Sequence, residues 1–131
     1  MWKFSSGAPV SFQAAEEIKL RIISGIYKPG QKLPSVQELA AEARLNPNTM
    51  KSVIEQAVND GYIIYLKSSG CYITDDEELI GRLRSERCSK AVKAFLAEMN
   101  ELGITADEAA ELLIRENNME RDNDSQENHG E

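Results

Sequence analysis

The chain has 131 residues, 41% of them apolar, which suffices for the core of one domain or of one small domain with an appendage. Two cysteines, Cys71 and Cys88, form no CxxC pair, and the single histidine, His129, stands near the end. This composition suggests neither a disulfide framework nor a zinc site and fits a reducing, cytoplasmic setting. The net charge of −7 opposes a polyanionic partner only as an average, because residues 1–74 hold 8 Lys and Arg against 6 Asp and Glu, whereas residues 75–131 hold 7 against 16. The opening MWKFSSGAPV lacks an apolar export segment, and no stretch nears the roughly 20 apolar residues that span a bilayer, so the chain is expected to be neither exported nor a membrane partner.

In chain order, Ala15, Ile18, Ile22 and Ile23 recur on one helical face over residues 11–24, and Gly25 is placed to stop that helix. Residues 27–34 carry two prolines and a Pro-Gly turn signal, which makes them a loop with at most a few extended residues. Ser35 and Glu38 form a capping-box pattern ahead of Leu39, Ala40 and Ala43, and a second helix starts there. After a short break at residues 44–46, Asn46 and Pro47 combine a good N-cap with proline at the first helical position. The third helix keeps Met50, Val53, Ile54, Ala57 and Val58 in phase until Gly61 ends it. Two β-branched and aromatic runs, residues 62–66 and 71–74, flank Lys67-Ser68-Ser69-Gly70 and predict a hairpin with a four-residue tip.

The second half is simpler. A long helix is predicted over residues 75–102, with acids at its start, where the helix dipole favours them, and Leu79, Ile80, Leu83, Cys88, Val92, Phe95, Leu96 and Met99 as its apolar positions. Gly103 stops it. Thr105 and Glu108 make another capping box before a last short helix with Ala106, Ala109, Ala110, Leu113 and Ile114 on one face. Residues 118–131 are nearly devoid of apolar side chains and are expected to be a disordered acidic tail. The expected fold is therefore mainly α with one small β-hairpin: a winged helix-turn-helix over residues 1–74, then an αα-hairpin over residues 75–117.

Two helices joined by a three-residue turn and followed by a hairpin are the layout of a winged helix-turn-helix, whose second helix enters the major groove by its N-terminal end. That places Asn46, Asn48, Thr49, Lys51 and Ser52 toward bases and phosphates of a double-stranded operator. The hairpin tip, Lys67, Ser68, Ser69 and Gly70, suits the DNA backbone or minor groove, while Ser35 and the free N–H groups of the second helix suit a phosphate. Arg44 and Lys32 stand nearby. Taken singly, Asn46, Ser35 and Thr105 are also ordinary helix caps, Gly70 an ordinary turn residue, and the two cysteines ordinary packing residues. Trp2 and Phe4 are expected to cover part of the core or of a dimer interface.

At these residues the chain resembles the GntR regulators, and in particular their short YtrA-type members. The matching stretches are Ile23-Ser24-Gly25 with Lys28-Pro29-Gly30, Lys32-Leu33-Pro34-Ser35-Val36, Glu38-Leu39-Ala40, Asn46-Pro47-Asn48-Thr49 and Gly61-Tyr62-Ile63. The resemblance implies a DNA-binding domain followed by a two-helix segment that dimerises, so that the dimer binds an operator with two half-sites. Leu79, Leu83, Cys88, Val92, Phe95, Leu96, Met99 and Leu113 are then the dimerisation residues, in a homodimer or in a heterodimer with a paralogue. Three positions depart from the pattern: Gln37, Ser52 and Cys71 stand where such proteins often carry a cation. Because phosphate contacts supply much of the affinity for DNA, the loss of these cations predicts weaker binding at physiological salt, or a need for a better-equipped paralogous partner.

No convergent acid, base, nucleophile or phosphate-binding loop is present to suggest an enzyme, and no cofactor is implied. The competing reading is a protein-interaction module, a winged helix that has lost strong DNA binding and acts through a partner protein. An αα-hairpin of this length does not easily enclose an effector pocket, so a small-molecule effector stays open.

Overall fold

The computed structural model describes residues 2–129. Its elements run α1 (Val10–Ile23), α2 (Val36–Ala43), α3 (Pro47–Asp60), β1 (Ile63–Leu66), β2 (Gly70–Ile73), α4 (Glu77–Glu101) and α5 (Ala106–His129). The chain divides into two compact units, one through Ser85 and one from Glu86, so the long helix α4 begins in the first and continues in the second.

In the first unit α3 packs on α1, α2 and β1. Its helical phase decides which side chains meet there: Met50, Val53, Ile54 and Ala57 are buried with Ala14, Ile18 and Ile22 of α1 and Leu39, Ala40 and Ala43 of α2. Local signals set the helix ends as the sequence suggests. Ser35 Oγ accepts the Glu38 N–H at 3.1 Å, and Asn46 Oδ1 accepts the Asn48 N–H at 2.8 Å, with Pro47 following. Helix α2 closes differently from α3. Where α3 ends on Gly61 at φ 89°, α2 ends on Arg44 in the left-handed region at φ 58°, while the Leu45 N–H reaches back to the Ala40 carbonyl.

The antiparallel β1–β2 pair has Ile63 opposite Ile73 and Leu66 opposite Gly70. The hairpin tip is therefore Lys67, Ser68 and Ser69, one residue shorter than expected, because Gly70 at φ 120° already pairs within β2. The loop before α2 is more ordered than its prolines suggest. The Gly30 N–H donates to Ile73 O, the Ile73 N–H to Gln31 O and the Leu33 N–H to Cys71 O, so this segment lies along β2 and pairs with it in an antiparallel bridge between Lys32 and Tyr72.

The start of α4 belongs to this unit. Asp76 Oδ1 accepts the Leu79 N–H, and Ile80 is buried in the core with Leu79 and Leu83 packed against it. Arg84 donates two bonds to the Ile23 carbonyl, at 3.0 and 2.8 Å, on the C-terminal end of α1 where a cation is favoured. Two of the residues expected at a dimer interface, Leu79 and Leu83, are thus used inside the first unit. The N-terminal segment is tied down as well: Gln13 Nε2 donates to the Ser5 and Ala8 carbonyls, and Trp2 and Phe4 pack on the core. Between Trp2 and Tyr27 lies the buried Arg21, 4.5 Å from the indole ring, bonded to Tyr27 Oη at 2.9 Å and 3.7 Å from Glu42 of α2.

In the second unit, Gly103 at φ 79° and a bond from Ile104 N–H to Met99 O end α4, and a reciprocal capping box between Thr105 and Glu108 starts α5. Here the structure corrects the sequence reading. Helix α5 continues through residues 118–129, where a disordered tail is expected; only residues 130 and 131 of that tail lie outside the described residues. Missing apolar periodicity signals missing burial, not missing helix, and neither glycine nor proline interrupts residues 106–129. Among the described residues of this unit only Ala109 is buried, while Val92, Leu102, Leu113, Ile114 and Met119 are more than half exposed.

Candidate nucleic-acid interface

The outer face of α3 carries Asn48, Lys51, Ser52 and Glu55, all exposed, with Thr49 half-buried at the margin of the packed face. Their spacing follows from the buried one: fixing Met50, Val53, Ile54 and Ala57 inward turns residues 48, 51, 52 and 55 outward on adjoining turns. Lys51 Nζ lies 4.0 Å from Glu55 Oε1, both side chains being about two-thirds exposed.

Three elements converge on this face. A cleft of about 620 Å³ is lined by Lys32, Ser35 and Glu38 before and in α2, Ile54 of α3, and Tyr65, Ser69, Gly70 and Cys71 of the hairpin. A second hollow of about 420 Å³ continues it along α3 past Lys51, Glu55 and Asn59. The hairpin tip is shaped locally: Ser68 takes the left-handed region at φ 71°, the Ser69 N–H closes the turn on Leu66 O at 3.0 Å, and Ser69 Oγ bonds Tyr72 Oη. Lys67 and Ser68 remain exposed at the tip.

The structure brings Ser35, Lys51, Ser69 and Gly70 to the joined hollows and leaves Gln37, Asn46, Asn48, Ser52 and Lys67 exposed around them. Arg44 lines a separate hollow with Trp2, Glu42 and Ala43, on the helix turn. Lys32 gains weight. Its Cε lies 3.3 Å from where a Cβ on Gly70 would stand, so the lysine passes directly over the hairpin at Gly70, whose φ of 120° itself calls for glycine, and sets a cation in the cleft. The Lys-Leu-Pro-Ser run marks the residue in the sequence, but only the strand-like pairing of residues 30–33 with β2 brings it to the hairpin.

Cys71 is half-buried in the same cleft, and burial pushes its thiol above the usual range, away from thiolate character. Burial, with the nearby Asp60 and Glu16 carboxylates, likewise raises the Tyr62 phenol behind the sheet, where Lys19 lies over its ring. Both groups pack and neither has the depressed pKa of a nucleophile.

A helix-turn-helix pair with a hairpin on its flank and a convergent polar face defines a winged-helix DNA-binding protein. Residues 11–73 match the model of the bacterial regulatory proteins of the gntR family. The chain is 30% identical over 109 residues, 83% of its own length and 90% of the relative's, to YhcF of Bacillus subtilis, an uncharacterised HTH-type transcriptional regulator. It is 38% identical over 71 residues, 54% of its length and 55% of the relative's, to the HTH-type transcriptional repressor YtrA of the same organism. A GntR family transcriptional regulator from Listeria monocytogenes superposes with a TM-score of 0.78 at 28% identity, covering 86% of this chain and 98% of that one. The chain belongs to the GntR family. It is a winged-helix DNA-binding transcription regulator and not an enzyme.

Proposed function

We propose that the protein acts in the cytoplasm as a dimeric repressor, each subunit laying α3 in the major groove of one operator half-site and its hairpin along the flanking backbone or minor groove. The observation that carries this is the convergence of the α2 start, the outer face of α3 and the hairpin on the joined hollows. Asn48, Thr49, Lys51 and Ser52 are the groove-facing residues in this reading. Ser35, Gln37, Arg44, Lys32 and the tip residues Lys67 to Gly70 hold phosphates, and Asn46 caps the helix that reads. That a relative is named a transcriptional repressor supports the direction of control.

The second unit supplies the dimer. Its exposed Val92, Leu113 and Ile114, with Phe95, Leu96 and Met99 half-buried, are more apolar surface than a pair of helices leaves to water without a partner, and a second copy covers it symmetrically. Leu79 and Leu83, half-buried against the core of the first unit, extend that surface toward the start of α4. Cys88, exposed on α4, falls within it.

Fluorescence anisotropy of the protein on its own upstream promoter and on scrambled DNA, between about 50 and 200 mM salt, tests the reading. Specific binding is expected, with the preference for the promoter lost on Lys51→Ala and the salt slope lowered by about 0.9 when Lys67→Ala removes a phosphate contact. The competing reading has one observation in its favour, a Lys51 that already faces Glu55 at 4.0 Å where Gln37, Ser52 and Cys71 supply no further cation. Equal affinity for promoter and scrambled DNA at every salt would establish that reading, a partner-dependent interaction module, in place of the operator reader.

A further inference from the structure

The outer face of α3 contains one residue that a DNA-binding surface does not need for affinity. Glu55 stands one turn after Lys51 and two turns after Asn48, on the same side of the helix, and lines the hollow with Lys51, Val36, Tyr65 and Cys71. Its ion pair with Lys51, 4.0 Å long with both side chains about two-thirds exposed, adds no more than a few tenths of a kcal/mol to the helix. A carboxylate facing phosphates repels them and offsets part of the local gain from Lys51. The structure therefore gives Glu55 little to do for the fold and an adverse effect on unspecific DNA affinity.

Chemistry narrows what such a group can recognise. An ionised carboxylate only accepts hydrogen bonds, so guanine O6 and N7 and thymine O4 repel it, and among base edges in the major groove the amino group of cytosine is its best donor. Lys51 is the complement, a donor suited to guanine O6 and N7. Four residues of helix rise about 6 Å, against about 3.4 Å per base pair, so the two side chains reach base pairs one or two steps apart. We propose that Glu55 is a specificity-determining residue that selects a cytosine in each operator half-site, one or two base pairs from a guanine read by Lys51. Glu55 then excludes sites that the cations alone would accept, a selection by unpaired charge as much as by attraction. The proposal rests on α3 being the helix that reads the operator.

The test is selection from a random double-stranded DNA pool with the full-length protein and with Glu55→Gln and Glu55→Ala, followed by anisotropy on the selected site and on versions changed at single base pairs. The unmodified protein is expected to enrich a motif with a cytosine column in each half-site, and replacing that cytosine is expected to cost about tenfold in affinity. With Glu55→Ala the same replacement should cost less than about twofold, and Glu55→Gln should move the preference at that column toward adenine, which a glutamine amide recognises in bidentate fashion. A merely electrostatic role would instead raise affinity for every sequence and leave the motif unchanged; that result overturns the proposal while leaving the operator-reading function standing. Failure of the unmodified protein to enrich any motif overturns both.

Discussion

In the first unit, side chains from α1, α2, α3, both strands and the start of α4 close a single interior in which Ala14, Ile18, Leu39, Met50 and Ile63 are wholly buried. In the second, the rest of α4 and all of α5 surround little more than Ala109, although Val92, Phe95, Leu96 and Met99 of α4 and Leu113 and Ile114 of α5 supply apolar side chains. The difference lies in what each pattern has to meet. Three helices and a hairpin crossing one another supply opposite faces for every apolar stripe, whereas two helices joined by one turn leave the outer stripes facing water. The first unit is thus equipped to fold alone, and in the proposed dimer the second folds against another copy.

The largest expected effect falls on the unit with the interior. Leu39→Ala removes a fully buried side chain between α2 and α3 and is expected to cost about 2–5 kcal/mol, read from urea unfolding of the full chain. The equivalent change at Leu113, more than half exposed in the monomer, should cost nothing in the monomer and act only on the dimer. Dilution separates the units next: if the second is held by association, each tenfold dilution costs about 1.4 kcal/mol per dimer and lowers the melting temperature, while a fragment ending at Ser85 melts independently of concentration. Val92→Glu with Leu113→Glu should give a monomer by sedimentation and leave the unfolding of the first unit in place. A monomer in which both units lose stability together would break the comparison.

How far the sequence anticipates each feature depends on the range of the interaction that makes it. The bounds of α3 are legible to the residue because Asn46, Pro47 and Gly61 act on their immediate neighbours, and the candidate interface follows because the buried phase of one helix fixes its exposed phase. Contacts between distant segments leave no such mark. Nothing in the spacing of Arg84 announces that it caps α1 at Ile23, 61 residues earlier, or that Arg21 is enclosed by Trp2 and Tyr27. The packing of Leu79 and Leu83 on the core of the first unit has the same origin, since apolar periodicity says that a helix face is covered and not by what. Helix α5 is the converse case, a helix made by local hydrogen bonds without the apolar stripe by which helices are usually detected.

A smaller effect sharpens the comparison from within the first unit. Arg44 closes α2 in the left-handed region, where a residue with a Cβ is disfavoured by about 1–2 kcal/mol and glycine is not. After the greater entropy of glycine in the unfolded chain is deducted, Arg44→Gly is expected to stabilise this unit by about 0.5–1 kcal/mol in thermal or urea unfolding. The dimer dissociation constant should not move. Operator affinity should fall with a shallower salt slope, because the substitution removes a cation that the proposed function places on a phosphate. Greater stability with unchanged DNA binding would show that Arg44 is retained for some purpose other than the operator.

The smallest effect is expected at the end of α5. Truncation after Asn117 removes residues 118–131, whose described side chains are all exposed, so it should change stability by less than about 0.5 kcal/mol while lowering helical ellipticity in proportion to the helix removed. Met119 makes this informative. It is the one large apolar residue in that stretch and is more than half exposed, on the helix that already carries Leu113 and Ile114. If the dimer seam ends at Ile114, sedimentation of the truncated chain will match that of the full one. A dissociation constant raised severalfold would instead carry the seam to Met119, and the charged last turns of α5 would then have the ordinary role of holding in helical form a segment whose single apolar side chain belongs to the partner's surface.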